Sequence, residues 1–181
     1  LDLNYYRSQV ALVDLYPNFF AGPIEENIRR VRPNISAREM DVVIEDSGLA
    51  ILSENLPEGL STEIDQTASN LSQAHKIVLG LARAMATNPN LLLLDETFNS
   101  TDKRVLVHQK SNLDKIASGR TLISITQDLR FIDHFDWIIV LDRGQVVGQG
   151  SHDELFANCP LYVELWQLET QIGSSAVKAH G

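Results

Sequence analysis

Residues Leu71 to Asp102 read LSQAHKIVLGLARAMATNPNLLLLDETFNSTD, and the elements inside this stretch decide the fold. Ser72 stands at a natural N-cap, and the run behind it predicts a helix to about Thr87. Asn90 to Asp95 then forms a continuous apolar run that ends in two acids, Asp95 and Glu96. A strand apolar on both faces belongs in a parallel sheet covered by helices on both sides. Ligands bind such sheets beyond the carboxyl ends of the strands, so the two acids face the ligand side. A carboxylate there suits Mg²⁺, directly or through water, and its neighbour suits orienting or deprotonating a water. Taken alone, the pair better suits a strand that simply meets solvent in two acids, and it points to a site only in company.

Working outward, Gln9 to Val13 reads as a buried strand and Asp14 to Pro23 as a loop rich in turn formers. Helices are predicted over Ile24 to Val31 and Ser36 to Gly48. The second opens on the capping box Ser36-Ala37-Arg38-Glu39 and sets Met40, Val43, Ile44 and Leu49 on one side. Pro57 to Asn70 is polar and reads as an ordered loop. Beyond the acids, strands are predicted over Arg120 to Thr126 and Trp137 to Leu141, separated by helical segments Lys103 to Ala117 and Leu129 to His134. The alternation makes the class α/β. Gly144 turns the chain into Gln145 to Gly148, a second capping box opens at Ser151-His152-Asp153-Glu154, and a last helix spans about Leu161 to Ile172. One domain over 1–172 is expected, with a helical part at about 24–87 inserted in the core and a disordered tail at 173–181.

Bulk composition agrees with one globular unit: 181 residues, 44 % of them hydrophobic. The formal charge of −9 argues against a sequence-independent nucleic-acid binder, which needs clustered Lys and Arg. A single cysteine, Cys159, allows no internal disulfide and no zinc site. No apolar run reaches the roughly 18 to 20 residues of a membrane-spanning helix. The first residue, Leu1, is not an initiator Met, so an upstream portion is expected.

The block from Leu71 to Asp102 resembles the signature helix, Walker B strand and D-loop of ABC ATPases, with "LARAM", "NPN" and "LLLLDE" at the family's spacing. "FFAGPIEENI" at Phe19 to Ile28 and "LPEGLSTEI" at Leu56 to Ile64 are similar to exporter segments. "GRTLISIT", "FDWIIVLDRGQVVGQGSHDEL" and "YVELW" are similar to the family's next strand, closing hairpin and terminal helix. The resemblance implies a partial P-loop NTPase fold, mostly a parallel sheet with a helical signature subdomain, acting on ATP and Mg²⁺. It implies two such domains sandwiching two ATP molecules, as a homo- or heterodimer, coupled to transmembrane domains at the cytoplasmic face of the membrane. On the same basis Asp95 would hold Mg²⁺, Glu96 would be the general base, and Asp102 would lie in the D-loop at the dimer seam, a place compatible with capping the following helix.

Departures from the family are as informative. No stretch fits the phosphate-cradling G-x-x-x-x-G-K-[ST], so the P-loop with its strand and helix is expected upstream. The stacking aromatic is expected there too, which leaves Tyr5 and Tyr6 as packing positions. The signature glycines and glutamine of LSGGQ are replaced in Leu71-Ser72-Gln73-Ala74-His75; Ser72 keeps its hydroxyl, while Gln73 adds bulk where a helix N-terminus would approach a γ-phosphate. The Q-loop glutamine position is Leu15, which cannot bind Mg²⁺ or water, and the switch histidine position is Gln127, which can donate one hydrogen bond but carries no charge. Asp65-Gln66-Thr67-Ala68 replaces the exporter's Gly-Glu-x-Gly.

Together these substitutions predict a degenerate, slow or non-hydrolysing half of a heterodimeric exporter. The rival readings are a regulatory module that binds nucleotide without turnover and a soluble ABC protein of translation or DNA repair. His152 is read as structural, inside its capping box; His75, His108, His134 and His180 form no metal-like spacing and are read as surface or helix-face residues. Phe19 and Phe20 suit either the core or a groove for a membrane domain's coupling helix.

Overall fold

The computed structural model describes residues 2–97 and 103–178. Two compact units divide the chain, Leu1–Thr126 and Gln127–Gly181.

In the first unit, the strand β1 (Val10–Val13) follows a short helix, α1 (Leu3–Ser8), that the sequence reading does not contain. The Asp2 carboxylate caps α1 by accepting from Asn4 and Tyr5 N–H. β1 pairs in parallel with β4 (Leu91–Asp95), and β4 in parallel with β5 (Thr121–Ile125), giving the strand order β1-β4-β5. Register sets Leu12 opposite Leu93 and Leu93 opposite Ile123, so these three form a row on one face. Asp95, opposite Ile125, ends the same face two residues on.

The other face is covered. Leu92 and Leu94 are buried there, α5 (Gln73–Ala86) packs on the neighbouring β1, and α6 (Lys103–Ala117) connects β4 to β5. α6 turns Val105, Gln109, Leu113 and Ile116 inward at helical spacing. On the Leu12 row, by contrast, Leu12 is 62 % exposed, Ile123 48 % and Ile125 64 %. Helices on both sides were expected; the structure has them on one. The apolar run of β4 signals burial on both faces, and the chain described supplies the cover for only one.

The helical part consists of α2 (Ile24–Val31), α3 (Ala37–Ser47), α4 (Leu49–Ser53) and α5. α2 carries Glu25 and Glu26 in its first turn and Arg29 and Arg30 in its last, which suits the helix dipole. α3 has the expected capping box: Ser36 Oγ accepts Glu39 N–H, and the Glu39 carboxylate accepts Ser36 N–H. The Ser36 hydroxyl, the Ser36 N–H and Arg32, all donating to the carboxylate, hold Glu39 down to a pKa of about 2. α5 packs on α2, α3, α4 and β1, which is why it is apolar almost all round.

The loop after β1 is pinned from two sides. Asn27, fully buried, accepts Phe20 N–H and donates to the carbonyls of Phe20 and Pro23. β2 (Gly22–Pro23) pairs antiparallel with β3 (Glu63–Ile64), so the polar stretch 57–70 is an ordered clamp, as its composition suggested.

In the second unit, β6 (Ile138–Asp142) and β7 (Gln145–Gly150) form an antiparallel hairpin with a sheet of their own. The reading of 137–141 as a further member of the parallel series is corrected here. Arg143 and Gly144 both have positive φ, 48° and 77°, the backbone of a two-residue type I′ turn that closes the nearest pairing available. α7 (His152–Asn158), with the expected Ser151–Glu154 capping box, and α8 (Pro160–Lys178) cover the hairpin. Ile138, Val140, Leu155, Cys159 and Tyr162 are the core. Gly148 is required there, because a Cβ would lie 2.8 Å from Cys159 Sγ. α8 continues six residues past the Ile172 end read from the sequence.

Candidate functional site

Asp95 closes β4 and is exposed at the carboxyl end of the parallel sheet. Glu96 then leaves the strand in the left-handed region, φ 53°, while its N–H still bonds the Ile125 carbonyl at 2.9 Å. For a residue with a Cβ that conformation costs roughly 1–2 kcal/mol, and such costs gather where geometry serves function. Thr97 follows, buried, its hydroxyl without a partner. Among the described residues no group of three or more His, Cys, Asp or Glu could hold a metal.

At the start of α5 the structure brings together residues that the sequence separates. Ser72 caps the helix, its Oγ accepting His75 N–H at 3.3 Å. The His75 ring meets Ser72 Oγ through Nδ1 at 2.5 Å and the Leu52 carbonyl through Nε2 at 3.1 Å. His75 is thus a tie between α5 and α4, which corrects its reading as a mere helix-face residue. Gln73 Nε2 donates to the Leu15 carbonyl, so the glutamine side chain points back into its own chain. Ala74 is buried beneath them.

The loop ahead of the signature is also internally closed. Asp65 accepts from Thr67 N–H and Oγ1 and from Ser69 N–H and Oγ, and these bonds hold its carboxyl far below the usual range. Phe19 is buried and Phe20 is exposed; Arg83 lies over both rings and Arg30 over Phe20. Burial lowers the Arg83 pKa, and the aromatic faces and the Asn18 carbonyl offset part of its desolvation. Tyr5 and Tyr6, expected to pack, are exposed, because α1 is too short to turn either ring onto the sheet.

Gln127 opens the second unit on an exposed bend. Asp102 lies outside the described residues, as does His180. His152 is structural as read: its Nδ1 is 2.7 Å from Tyr162 Oη, with Phe156 and Trp166 against its ring. Leu52 and Arg83 are contributors that sequence reasoning missed, and Asp65 was singled out only as a departure from the exporter pattern, not for the bonds it makes. Only Asp65, followed by Thr and Ser at two and four residues, carried a local signal, that of an Asx turn.

Comparison with known proteins agrees with this geometry. The family model described as ABC transporter matches residues 2–99. The ABC multidrug transporter MDR1 of Cryptococcus neoformans is 36 % identical over 93 % of this chain and 12 % of its own length. The ABC transporter ATP-binding protein YknV of Bacillus subtilis is 35 % identical over 91 % and 27 %. The solved structure of a bacterial Atm1-family ABC exporter with ATP bound superposes with a TM-score of 0.85 at 32 % identity, over 93 % of this chain and 30 % of that one. The chain thus spans well under a third of each of these three proteins.

Proposed function

Because the chain belongs to the ABC transporter family, we propose that it serves as part of an exporter's nucleotide-binding domain, coupling ATP binding and hydrolysis to export as the weaker half of a heterodimer. The two compact units are parts of one partial domain over 1–172, with the helices of 24–87 as its signature subdomain; the stretch from 173, read from the sequence as a disordered tail, is helical to Lys178. The uncovered row Leu12, Ile123 and Ile125 supports a further strand and helix, bearing the P-loop, packed on that face.

Bound Mg²⁺-ATP supplies the phosphoryl group that passes to water. Asp95 would hold the metal, Glu96 would take the proton of the attacking water, and Gln127 would donate one hydrogen bond from the switch position. Ser72 to His75 and Asp102 face the second nucleotide-binding domain, and Leu15 leaves the Q-loop without a polar ligand. Phe20 and the Asp65 loop face the transmembrane domains, at the cytoplasmic side of the membrane, while buried Phe19 belongs to the core. No helix among the described residues is long and apolar enough to cross it.

The observation that carries the reading is the exposed Asp95 followed by the left-handed Glu96 at the end of a parallel strand. The test measures ATP binding and ATP turnover separately on the longer protein with its partner. Binding without substantial turnover from this half is expected, with Glu96→Gln removing what turnover remains, roughly 10²-fold or more. Turnover equal to that of a symmetric exporter, collapsing on Glu96→Gln, would refute the weak-half assignment.

A further inference from the structure

Resting on the reading of the α5 start as a nucleotide-facing signature, we propose that His75 is a positioning residue that accepts the Ser72 hydroxyl hydrogen bond, leaving Ser72 with no hydrogen for a phosphate oxygen. The hydrogen-bond directions follow from the partners. The Leu52 carbonyl, 3.1 Å from His75 Nε2, can only accept, so Nε2 carries the hydrogen of the neutral ring. Nδ1 is then a bare lone pair, and Ser72 O–H donates to it across 2.5 Å. Ser72 Oγ also accepts His75 N–H at 3.3 Å. A serine has one hydroxyl hydrogen, and His75 holds it. What Ser72 offers outward is a lone pair, which repels an anionic oxygen.

The neighbouring replacement acts in the same sense. Gln73 donates to the Leu15 carbonyl, a backbone atom of the loop that follows β1. Both substituted side chains are therefore turned onto their own chain: His75 ties α5 to α4, and Gln73 ties α5 to the β1 loop. A γ-phosphate approaching α5 finds no hydroxyl hydrogen on Ser72, and the Gln73 amide is held toward the β1 loop.

The experiment uses the longer protein with its partner in lipid nanodiscs, and a non-hydrolysable ATP analogue as probe. Histidine-selective ¹⁵N spectra, with His75→Leu as the difference spectrum, report which ring nitrogen carries hydrogen; an unprotonated Nδ1 is expected. His75→Leu frees the hydroxyl and is expected to tighten analogue binding about tenfold, the effect of one donor to a charged oxygen. Adding Ser72→Ala to His75→Leu should abolish that gain. His75→Gln, which keeps a donor for the Leu52 carbonyl, guards against a folding defect and should gain in the same direction. A protonated Nδ1 on the neutral ring, no gain in either variant, or a gain that survives Ser72→Ala would overturn the proposal. If Nδ1 is bare and no form binds the analogue, the hydrogen-bond assignment stands and the nucleotide reading of the site fails.

Discussion

Serine at Leu12 and Ile123 should have opposite effects in two settings, because the two side chains share one sheet face and that face lacks a cover. In the 181-residue chain, Leu12 is 62 % and Ile123 48 % exposed, so less than about half of a transfer free energy of roughly 1.5–3 kcal/mol is realised at each. Each serine then costs about 1 kcal/mol and removes apolar surface from solvent. In the longer protein, where the proposed strand and helix cover the face, each substitution deletes a fully buried side chain and buries a hydroxyl, costing about 3 kcal/mol. The two sites are two strand spacings apart, about 10 Å, so the effects add to about 6 kcal/mol. The assays are the thermal midpoint of the longer protein and the solubility and hydrophobic-dye binding of the isolated chain. The double substitution should lower the first steeply, raise the second and lower the third. The isolated chain should be poorly soluble and melt broadly. A sharp, cooperative melt of the isolated chain, or an equally small loss in both settings, would refute the reasoning.

Asn27→Ala removes three buried hydrogen bonds and strands the Phe20 N–H, so a loss of about 2–4 kcal/mol is expected by denaturant titration, with faster proteolysis of the 14–23 loop. Gly148→Ala pushes a methyl against Cys159 Sγ and Leu155, and should cost about 1–3 kcal/mol in the second unit, read as a lower midpoint. Tyr162 ionises at about 12 in the folded state, raised first by burial and then by the Asp133 charge. A raised acid pKa means the folded state keeps its proton longer, so stability is full below pH 10 and falls as pH rises from 10 towards 12. Tyr162→Phe should flatten that alkaline limb in circular dichroism melts.

Local chemistry made much of the architecture legible. Ser36 and Ser151 announced their helices because a capping box is complete within four residues, and α2 and α6 occupy the ranges read from the sequence. What remained hidden was tertiary. α1 and α4 are too short to show a helical period. The apolar run before Arg143-Gly144 looked like one more parallel member, because that turn is a weaker signal than Asn-Gly; only its likeness to the family's closing hairpin pointed to the pairing of β6 and β7. His75 could not be seen as a tie, because its partners are its own cap and a carbonyl 23 residues away. Of the site, the acid pair was readable because a strand end is a local feature. The Gln73 link to Leu15 spans 58 residues and was not.

Family identity and turnover rest on different parts of this site. The apolar strand β4, the left-handed turn at Glu96 and the Ser72 cap are backbone features, set by burial, register and capping. Turnover depends instead on side chains that reach other groups, and there Leu15, Gln73, His75 and Gln127 depart from the family. Gln73 and His75 have found partners within their own chain, so their loss from a nucleotide site leaves no unsatisfied group behind and no pressure on the fold. Such a chain can lose turnover while its strand, turn and cap persist. On the proposed reading Glu96 is where the two meet, its backbone belonging to the fold and its carboxylate to the chemistry. Glu96→Gln keeps the first and removes the second, which makes it the substitution that separates ancestry from activity.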